Sequence, residues 1–212
     1  MISIISNFKK VKTIINNDKI NIIAVSKSFN YDHIKPLVDF GHNHFGENKV
    51  QEAHSKWLNI KNKFPQINLH MIGKLQSNKA KEAVSLFDFI HSLDNIKLAN
   101  LLFKFEKILN KKRKYFIQVN LGKEKQKNGV DINNLDKFYK YCVNELQLNV
   151  IGLMAIPPND GNENLYFKLL MELKETLGLK ELSMGMSGDF KIALKYNTTF
   201  VRIGSAIFGS RT

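Results

Sequence analysis

The sequence predicts an α/β protein in which residues 1–212 form one domain, a parallel (β/α)8 (TIM) barrel. Short apolar runs alternate with helix-length amphipathic stretches along the whole chain, and this alternation is typical of βαβ units in a parallel sheet. Eight such runs occur, which favours a sheet closed into a barrel. The length of 212 residues lies close to the lower limit of about 200 residues for this fold.

The expected strands are short runs rich in β-branched and aromatic residues, and the expected helices carry apolar residues at helical spacing. The strands are predicted at residues 21–26, 42–46, 69–73, 89–92, 115–120, 150–155, 181–184 and 199–203. The helices are predicted at residues 32–40, 50–62, 78–87, 95–110, 133–146, 162–177 and 189–195. Little chain follows the eighth strand, so we expect the amphipathic stretch 2–16 to cover the surface that a long final helix would otherwise cover.

Composition narrows the class of protein. The net charge is +13, but Lys supplies nearly all of it, and the basic runs at 111–114 and 123–127 lack the interleaved aromatic residues of a base-stacking surface. The single cysteine, Cys142, excludes an internal disulfide framework and fits a reducing compartment. No uncharged apolar run approaches the 18 residues of a membrane span. We therefore expect a cytoplasmic monomer without membrane or nucleic-acid partners.

Lys27 directly follows the first strand. In barrels of this kind, ligands bind at the carboxyl ends of the strands, so the Lys27 side chain is expected to reach the barrel mouth. Removal from water lowers the pKa of a lysine and frees its amine to attack an aldehyde. The alternative is an ordinary surface lysine at a strand end.

The two last strand ends carry glycines and hydroxyl side chains. Ser183, Ser187 and Gly188 lie around the end of the seventh strand, and Gly204 and Ser205 follow the eighth. Backbone N–H groups of such loops and of helix N-termini bind anions, and barrels commonly hold phosphate in these two loops. The pair therefore predicts a phosphate site, although each loop alone could be an ordinary turn.

Arg202 lies inside an apolar run that should be buried on both faces. A buried guanidinium without a partner is costly, so Arg202 must meet either a carboxylate of the chain or an acceptor on a ligand. Asn48, after the second strand, could line the mouth or cap the next helix. His42 and His44 alternate along one predicted strand, and no Cys, Asp or Glu set completes a metal tetrad with them. His70 is interpreted as a core histidine, and no metal site is expected.

Several segments together resemble one family, the pyridoxal 5′-phosphate (PLP) homeostasis proteins, whose fold is similar to the N-terminal barrel of alanine racemase (fold type III of PLP proteins). The match runs in order through nearly the whole chain. The matching segments are AVSK at 24–27, FGEN at 45–48, HMIG at 70–73, LQSNK at 75–79, GLMA at 152–155, LSMGMS at 182–187, VRIG at 201–204 and AIFG at 206–209.

The resemblance implies that PLP is the cofactor and that Lys27 holds it as a Schiff base. Two departures from the family pattern are visible: Ser205 stands where Thr is common, and Gly188 precedes Asp189 where an acidic residue is usual. Ser205 keeps the hydroxyl, whereas Gly188 leaves the phosphate-side acid open. The resemblance also implies that the phosphate is held by Ser187, together with Ser183, Gly204 and Ser205. It further implies that Arg202 faces the pyridine nitrogen and that Asn48 lies near the ring.

The implied function is a non-catalytic carrier that buffers PLP or delivers it, with PLP-dependent apo-enzymes as recipients. A guanidinium keeps its protons at working pH, so a pyridine nitrogen facing Arg202 stays unprotonated and the ring is a weak electron sink. The alternative is a PLP-dependent amino-acid racemase, which needs a second base from an additional β domain that this sequence does not show. A third class, a basic nucleic-acid-binding protein, rests on net charge alone.

Overall fold

The computed structural model describes residues 3–122 and 128–209, and the predicted barrel is confirmed. Eight strands pair in parallel in the order β4-β3-β2-β1-β9-β8-β7-β5, and pairing between β4 and β5 closes the ring. The short strand β6 extends the edge of β5. The strands are β1 Asn21–Val25, β2 His44–Glu47, β3 Asn68–Met71, β4 Phe89–Leu93, β5 Lys114–Asn120, β6 Val130–Asp131, β7 Asn149–Met154, β8 Glu181–Met186 and β9 Phe200–Ile203.

The helices surround the ring, and their apolar faces pack onto the outside of the sheet. They are α1 Ile4–Ile15, α2 Tyr31–Asp39, α3 Val50–Lys63, α4 Ala80–Leu86, α5 Ile96–Leu109, α6 Ile132–Lys140, α7 Glu163–Thr176, α8 Phe190–Ala193 and α9 Ser205–Phe208. Short 3-10 turns at Ser77–Lys79 and Leu194–Tyr196 and a π-helical turn at Tyr141–Glu145 extend three of these elements. None of these helices is long and apolar enough to cross a bilayer.

The barrel interior forms a second core, separate from the layer between sheet and helices. Because side chains alternate along a strand, every second residue of the ring points inward. The apolar members of this inner core are Ile23, Phe89, Phe116, Met154 and Phe200. Three histidines contact these rings, with His70 stacked on Phe89 and His91 stacked on Phe116 at 4.3 Å between ring centroids.

Helix α1 packs against the four-residue helix α9. The amide of Asn7 donates a hydrogen bond to the carbonyl oxygen of Ile207 at 3.1 Å, and Phe8, Val11 and Ile15 are buried. As expected, the N-terminal amphipathic stretch covers the region where a long final helix would lie.

The main errors of the sequence-based prediction concern element ends. β2 begins at His44, not at residue 42, and β8 continues to Met186 beyond the expected end at 184. The extra length of β8 comes from pairing: Ser183 lies opposite Phe200 and Met186 opposite Arg202. Ser183 is therefore inside a strand. The basic run at 123–127 lies outside the described residues.

Candidate functional site

A cavity of about 680 Å³ opens at the carboxyl ends of the strands, a size typical of small-molecule sites. Its wall combines the ends of strands that are far apart in the sequence. Six of the seven residues that the sequence predicted for a site line this cavity: Lys27, Asn48, Ser187, Arg202, Gly204 and Ser205.

Lys27 lies in the turn after β1. Two side chains of helix α3 form hydrogen bonds with the residues immediately before and after Lys27. The backbone N–H of Ser28 donates to Oε1 of Glu52 at 2.5 Å, and Nζ of Lys56 donates to the carbonyl oxygen of Ser26 at 2.8 Å. Ser28 has a φ of 68°, a left-handed conformation that costs a residue with a Cβ about 1–2 kcal/mol. The two contacts therefore fix a strained turn that presents Lys27 to the cavity.

Glu47, at the end of β2, is the centre of a buried network under this turn. Its Oε1 accepts hydrogen bonds from Ser26 Oγ at 2.7 Å, Lys56 Nζ at 2.9 Å and Trp57 Nε1 at 2.8 Å. No separate role for Glu47 was predicted from the sequence. A carboxylate at the end of a buried strand was the available signal, because such a group needs buried donors.

Gly73, after β3, permits close contact with the loop that carries Asn48. A Cβ at Gly73 would lie 2.5 Å from the backbone oxygen of Asn48, well inside any permitted contact. Only glycine can therefore bring the β3 end against Asn48, and both residues line the cavity.

The two loops predicted to bind phosphate meet in space. Ser187 Oγ accepts hydrogen bonds from the backbone N–H groups of Gly204 at 3.3 Å and Ala206 at 3.4 Å. Asp189 stays within its own loop, where Oδ1 accepts from the N–H of Met186 at 2.5 Å. This corner of the cavity thus gathers two hydroxyls, those of Ser187 and Ser205, with backbone N–H groups, the chemistry that suits an anion.

Arg202 is 4% exposed and has only neutral partners among the described residues. Nη1 donates to the carbonyl oxygen and to Oγ of Ser183 at 2.6 and 2.8 Å, and Nη2 donates to the carbonyl oxygen of Ala155 at 2.9 Å. Burial lowers the pKa of Arg202 to about 10, and the charge of Asp189 opposes that shift. Arg202 is therefore cationic at neutral pH, and no carboxylate of the described chain forms an ion pair with it.

Ser183 does not line the cavity, contrary to the expectation that it joins Ser187 at the phosphate. It is fully buried in β8, and its hydroxyl contacts Arg202 and His91. The prediction placed Ser183 near a strand end, whereas the strand continues for three more residues. Ser183 therefore accepts hydrogen bonds from Arg202 inside the barrel instead of lining the cavity.

A line of histidines continues from Ser183 through the barrel interior. His91 Nδ1 lies 2.9 Å from Ser183 Oγ, His70 Nδ1 lies 2.9 Å from His91 Nε2, and His44 Nδ1 lies 2.9 Å from His70 Nε2. Burial lowers the pKa of His70 and His91 well below the ordinary value and that of His44 to about 4. His70 was predicted from the sequence to be a core histidine, whereas no structural role was predicted for His44 or His91.

Other lining residues had no sequence signal of their own. Gln118 projects from β5 and donates to the backbone oxygen of Asn128 at 3.4 Å, and both residues line the cavity. Ile156 and Met186 form an apolar part of the wall and are 41% and 36% exposed. Lys74 is a second lysine of the wall, and it is exposed.

These features define a class: a parallel barrel with a lysine after the first strand, a buried arginine without an ion-pair partner among the described residues, and a corner of hydroxyl and backbone N–H groups at the mouth. Comparison with known proteins agrees with this class. The chain belongs to the family described as "Alanine racemase, N-terminal domain", which matches residues 2–212, and its curated relatives in that family are PLP homeostasis proteins.

Two of these relatives carry the name "Pyridoxal phosphate homeostasis protein". The one from Aquifex aeolicus is 36% identical over 199 residues, covering 90% of this chain and 86% of the relative. The one from Vibrio alginolyticus is 36% identical over 204 residues, covering 92% and 88%.

Solved structures show the same similarity. PipY of Synechococcus elongatus is 33% identical, with a TM-score of 0.90 without PLP and 0.89 with PLP bound, and the match covers 98% of this chain and 100% of PipY. Alanine racemase from Bartonella henselae is 17% identical with a TM-score of 0.76, covering 98% of this chain and 60% of the racemase. The racemase therefore shares the fold alone.

Proposed function

We propose that residues 1–212 act as one cytoplasmic, monomeric barrel domain that binds PLP in the mouth cavity and buffers it or delivers it to PLP-dependent apo-enzymes, without turning over amino acids. The observation that carries the proposal is Arg202, a buried cation whose protein partners are neutral and whose position borders the cavity. The curated relatives are named for PLP homeostasis, and the similar PipY structure contains PLP.

The phosphate of PLP fits the corner formed by Ser187, Gly204 and Ser205. An anion there meets hydroxyl groups and backbone N–H groups, and hydrogen bonds to a charged group are each worth about 1.5–3 kcal/mol. Gly188 borders the same region, where a Cβ would meet nothing within 4 Å. The backbone at Gly188 therefore faces open space at this corner.

Lys27 is the residue proposed to hold PLP covalently, with Asn48 beside the ring. When bound, PLP supplies an aldehyde and an electron-withdrawing ring. The Lys27 amine would be the group that adds to this aldehyde, and it would hold the bound cofactor as a Schiff base. The turn fixed by Glu52 and Lys56 orients the amine for this addition.

Arg202 is proposed to donate a hydrogen bond to the pyridine nitrogen. A guanidinium has five N–H groups, and the bonds to Ser183 and Ala155 use three of them. Because its pKa remains about 10, Arg202 donates a hydrogen bond to the ring nitrogen and keeps its own proton. The ring nitrogen then stays unprotonated, which suits binding rather than amino-acid chemistry.

Borohydride trapping tests the covalent site. Reduction of the PLP-loaded protein and peptide mapping should place the label on Lys27, and Lys27→Ala should abolish it. Lys74→Ala is the matched control, because Lys74 is another lysine of the described cavity wall, and it should leave the label in place. Label on a different lysine, with Lys27→Ala still labelled at the same site, would overturn the assignment.

The phosphate corner is tested with pyridoxal, which lacks the phosphate. Loss of several charge-assisted hydrogen bonds should weaken binding at least about 100-fold relative to PLP. Equal affinity for the two ligands would show that the loops at Ser187 and Gly204 are turns without a role in binding.

Turnover separates the carrier from an amino-acid racemase. Racemisation needs a second acid/base group opposite Lys27, within about 3 Å of the substrate proton, and Lys74 is the described wall residue that could supply one. Chiral analysis of L- and D-alanine after long incubation with PLP-loaded protein should show no interconversion. Turnover of about 1 per second that Lys74→Met abolishes would establish the racemase.

A further inference from the structure

The buried line from Arg202 to His44 connects the cavity with the opposite end of the barrel. Four contacts make it: Arg202 to Ser183, Ser183 to His91, His91 to His70, and His70 to His44, with separations of 2.8 to 2.9 Å. His44 is partly exposed and borders a depression at the amino ends of the strands. Neither the covalent site nor the phosphate corner uses these histidines.

The number of donors and acceptors on each side chain determines which atom donates and which accepts at every contact of this line. A guanidinium only donates, so Ser183 Oγ accepts from Arg202, and the single hydroxyl hydrogen of Ser183 must go to Nδ1 of His91. That nitrogen then carries no proton, and neutral His91 carries its proton on Nε2 and donates to His70 Nδ1. The same step repeats from His70 Nε2 to His44 Nδ1.

The reverse direction leaves a donor without a partner. If His91 donated to Ser183, the serine oxygen would accept from two donors and its own hydrogen would face no acceptor among its contacts in the described chain. An unmet buried donor costs about 1–3 kcal/mol. Burial also keeps the histidines neutral, with the charge of Arg202 acting in the same sense on His91.

Ring stacking fixes the positions that this direction requires. His70 lies on Phe89 at an interplanar angle of 14°, and His91 lies on Phe116 at 16°. The rings cannot turn without losing both the stacking and two hydrogen bonds. The histidine line therefore holds Ser183 Oγ in the position where it accepts the hydrogen bond from Arg202.

We infer that His91, His70 and His44 are positioning residues for Arg202, acting through Ser183 as a one-directional chain of neutral Nε2–H histidines. The chain holds the guanidinium in place with a neutral acceptor, so that its orientation is fixed while its charge is kept for the ligand. The part concerning the ligand rests on the proposed function.

The proton positions can be measured without PLP. Nitrogen-15 NMR of the histidine-labelled full chain at neutral pH distinguishes the two neutral tautomers from the charged ring. His70 and His91 should both carry the proton on Nε2 with an unprotonated Nδ1. The signal of the exposed His54 serves as the reference for a solvent-accessible histidine. This signal is assigned by its disappearance in His54→Gln. A proton on Nδ1 of either buried ring, or a charged ring, would overturn the inference whatever the protein binds.

Positioning of Arg202 is measured with a ligand pair, PLP and its 1-deaza analogue, in which carbon replaces the ring nitrogen. The wild-type protein should prefer PLP by about tenfold or more, the value of one charge-assisted hydrogen bond. Ser183→Ala and His91→Phe should each reduce this preference at least about threefold, and His91→Gln, which keeps an acceptor, should restore part of it. His54→Phe should leave the preference unchanged.

The preference ratio separates positioning from damage. A loss of structure weakens both ligands equally and leaves the ratio at its wild-type value, so an unchanged ratio in Ser183→Ala and His91→Phe would overturn the inference. Failure of wild-type protein to bind PLP at all would instead contradict the proposed function, with the proton positions still decided by NMR.

Discussion

Two buried cations at the same end of the barrel, Lys56 and Arg202, are stabilised in opposite ways. The side chain of Lys56 is 7% exposed, and its Nζ lies 2.9 Å from Glu47 Oε1 and 3.6 Å from Glu52 Oε1. Arg202 is equally buried but contacts a hydroxyl and two carbonyl oxygens. Lys56 is neutralised within the protein, and Arg202 is not.

The difference indicates what each charge is for. Carboxylates cancel the charge of Lys56, so this cation can fix the turn around Lys27 and attract nothing else. Neutral oxygens orient Arg202 and leave its charge in place, which suits an acceptor that arrives from outside. A buried cation with neutral partners at a cavity wall is thus a stronger sign of a ligand than a buried ion pair is.

The largest effect should come from breaking the neutralised pair. Lys56→Met leaves Glu47 charged and buried, which should lower the free energy of unfolding by about 3–5 kcal/mol. Urea denaturation measures it, and the double variant with Glu47→Gln should recover most of the loss. Lys35→Met, which removes the exposed pair of Lys35 with Asp39, is the control and should change little. A small loss in Lys56→Met would show that the pair is not structural.

Arg202→Met should have a smaller effect on folding and a larger one on binding. No buried carboxylate loses its partner, so the cost is that of unmet neutral acceptors, about 1–3 kcal/mol. The affinity for PLP should fall at least about tenfold, the value of a charge-assisted hydrogen bond. Denaturation and PLP titration of the same preparation test this contrast, and a destabilisation as large as that of Lys56→Met would contradict it.

The pH dependence of the free energy of unfolding should show that the buried histidines behind Arg202 are uncharged in the folded protein. Burial lowers the pKa of His70 and His91 below the ordinary value of 6.5, so the unfolded chain binds protons first as the pH falls below that value. Stability should then decrease with falling pH, by up to about 1.4 kcal/mol per pH unit for each histidine. His91→Phe should remove one such share of the slope between pH 6 and 5, whereas His54→Phe should not.

The smallest effect concerns the turn that presents Lys27. Glu52→Ala removes the acceptor of the Ser28 N–H and should cost about 0.5–1.5 kcal/mol, whereas Glu52→Gln keeps an acceptor and should cost less. The rate at which borohydride traps PLP on Lys27 should fall in the same order. Equal effects of the two variants would show that charge, not the hydrogen bond, holds the turn.

Most of the fold followed from local pattern. Strand and helix positions depend on short runs of the chain, and closure followed from their number. The prediction ended this strand at residue 184, because Gly185 and Met186 belong to it only through the pairing of β8 with β9. Ser183 was assigned to the phosphate, although its hydroxyl contacts Arg202 and His91.

The site was predictable where it depends on strand ends. Lys27, Asn48 and Gly204 follow strands directly, so their place at the mouth was readable from the sequence. The partners of Arg202 could not be predicted from the sequence, because both a carboxylate of the chain and an acceptor on a ligand remained open. The histidine line was also hidden, because His44, His70 and His91 come from three different strands and meet only when the ring closes.

The cavity lies across the pair formed by the first and last strands of the described barrel. β1 pairs with β9, so the earliest strand of the chain lies beside the last one, and Lys27 and Gly204 follow these two strands. In the proposed function, a ligand held by Lys27 on one side and by the loop at Gly204 on the other would link the first and last strands of the described barrel. Under the proposed function, a bound ligand stabilises this junction, so the empty barrel should unfold and be cleaved by proteases more often than the loaded one.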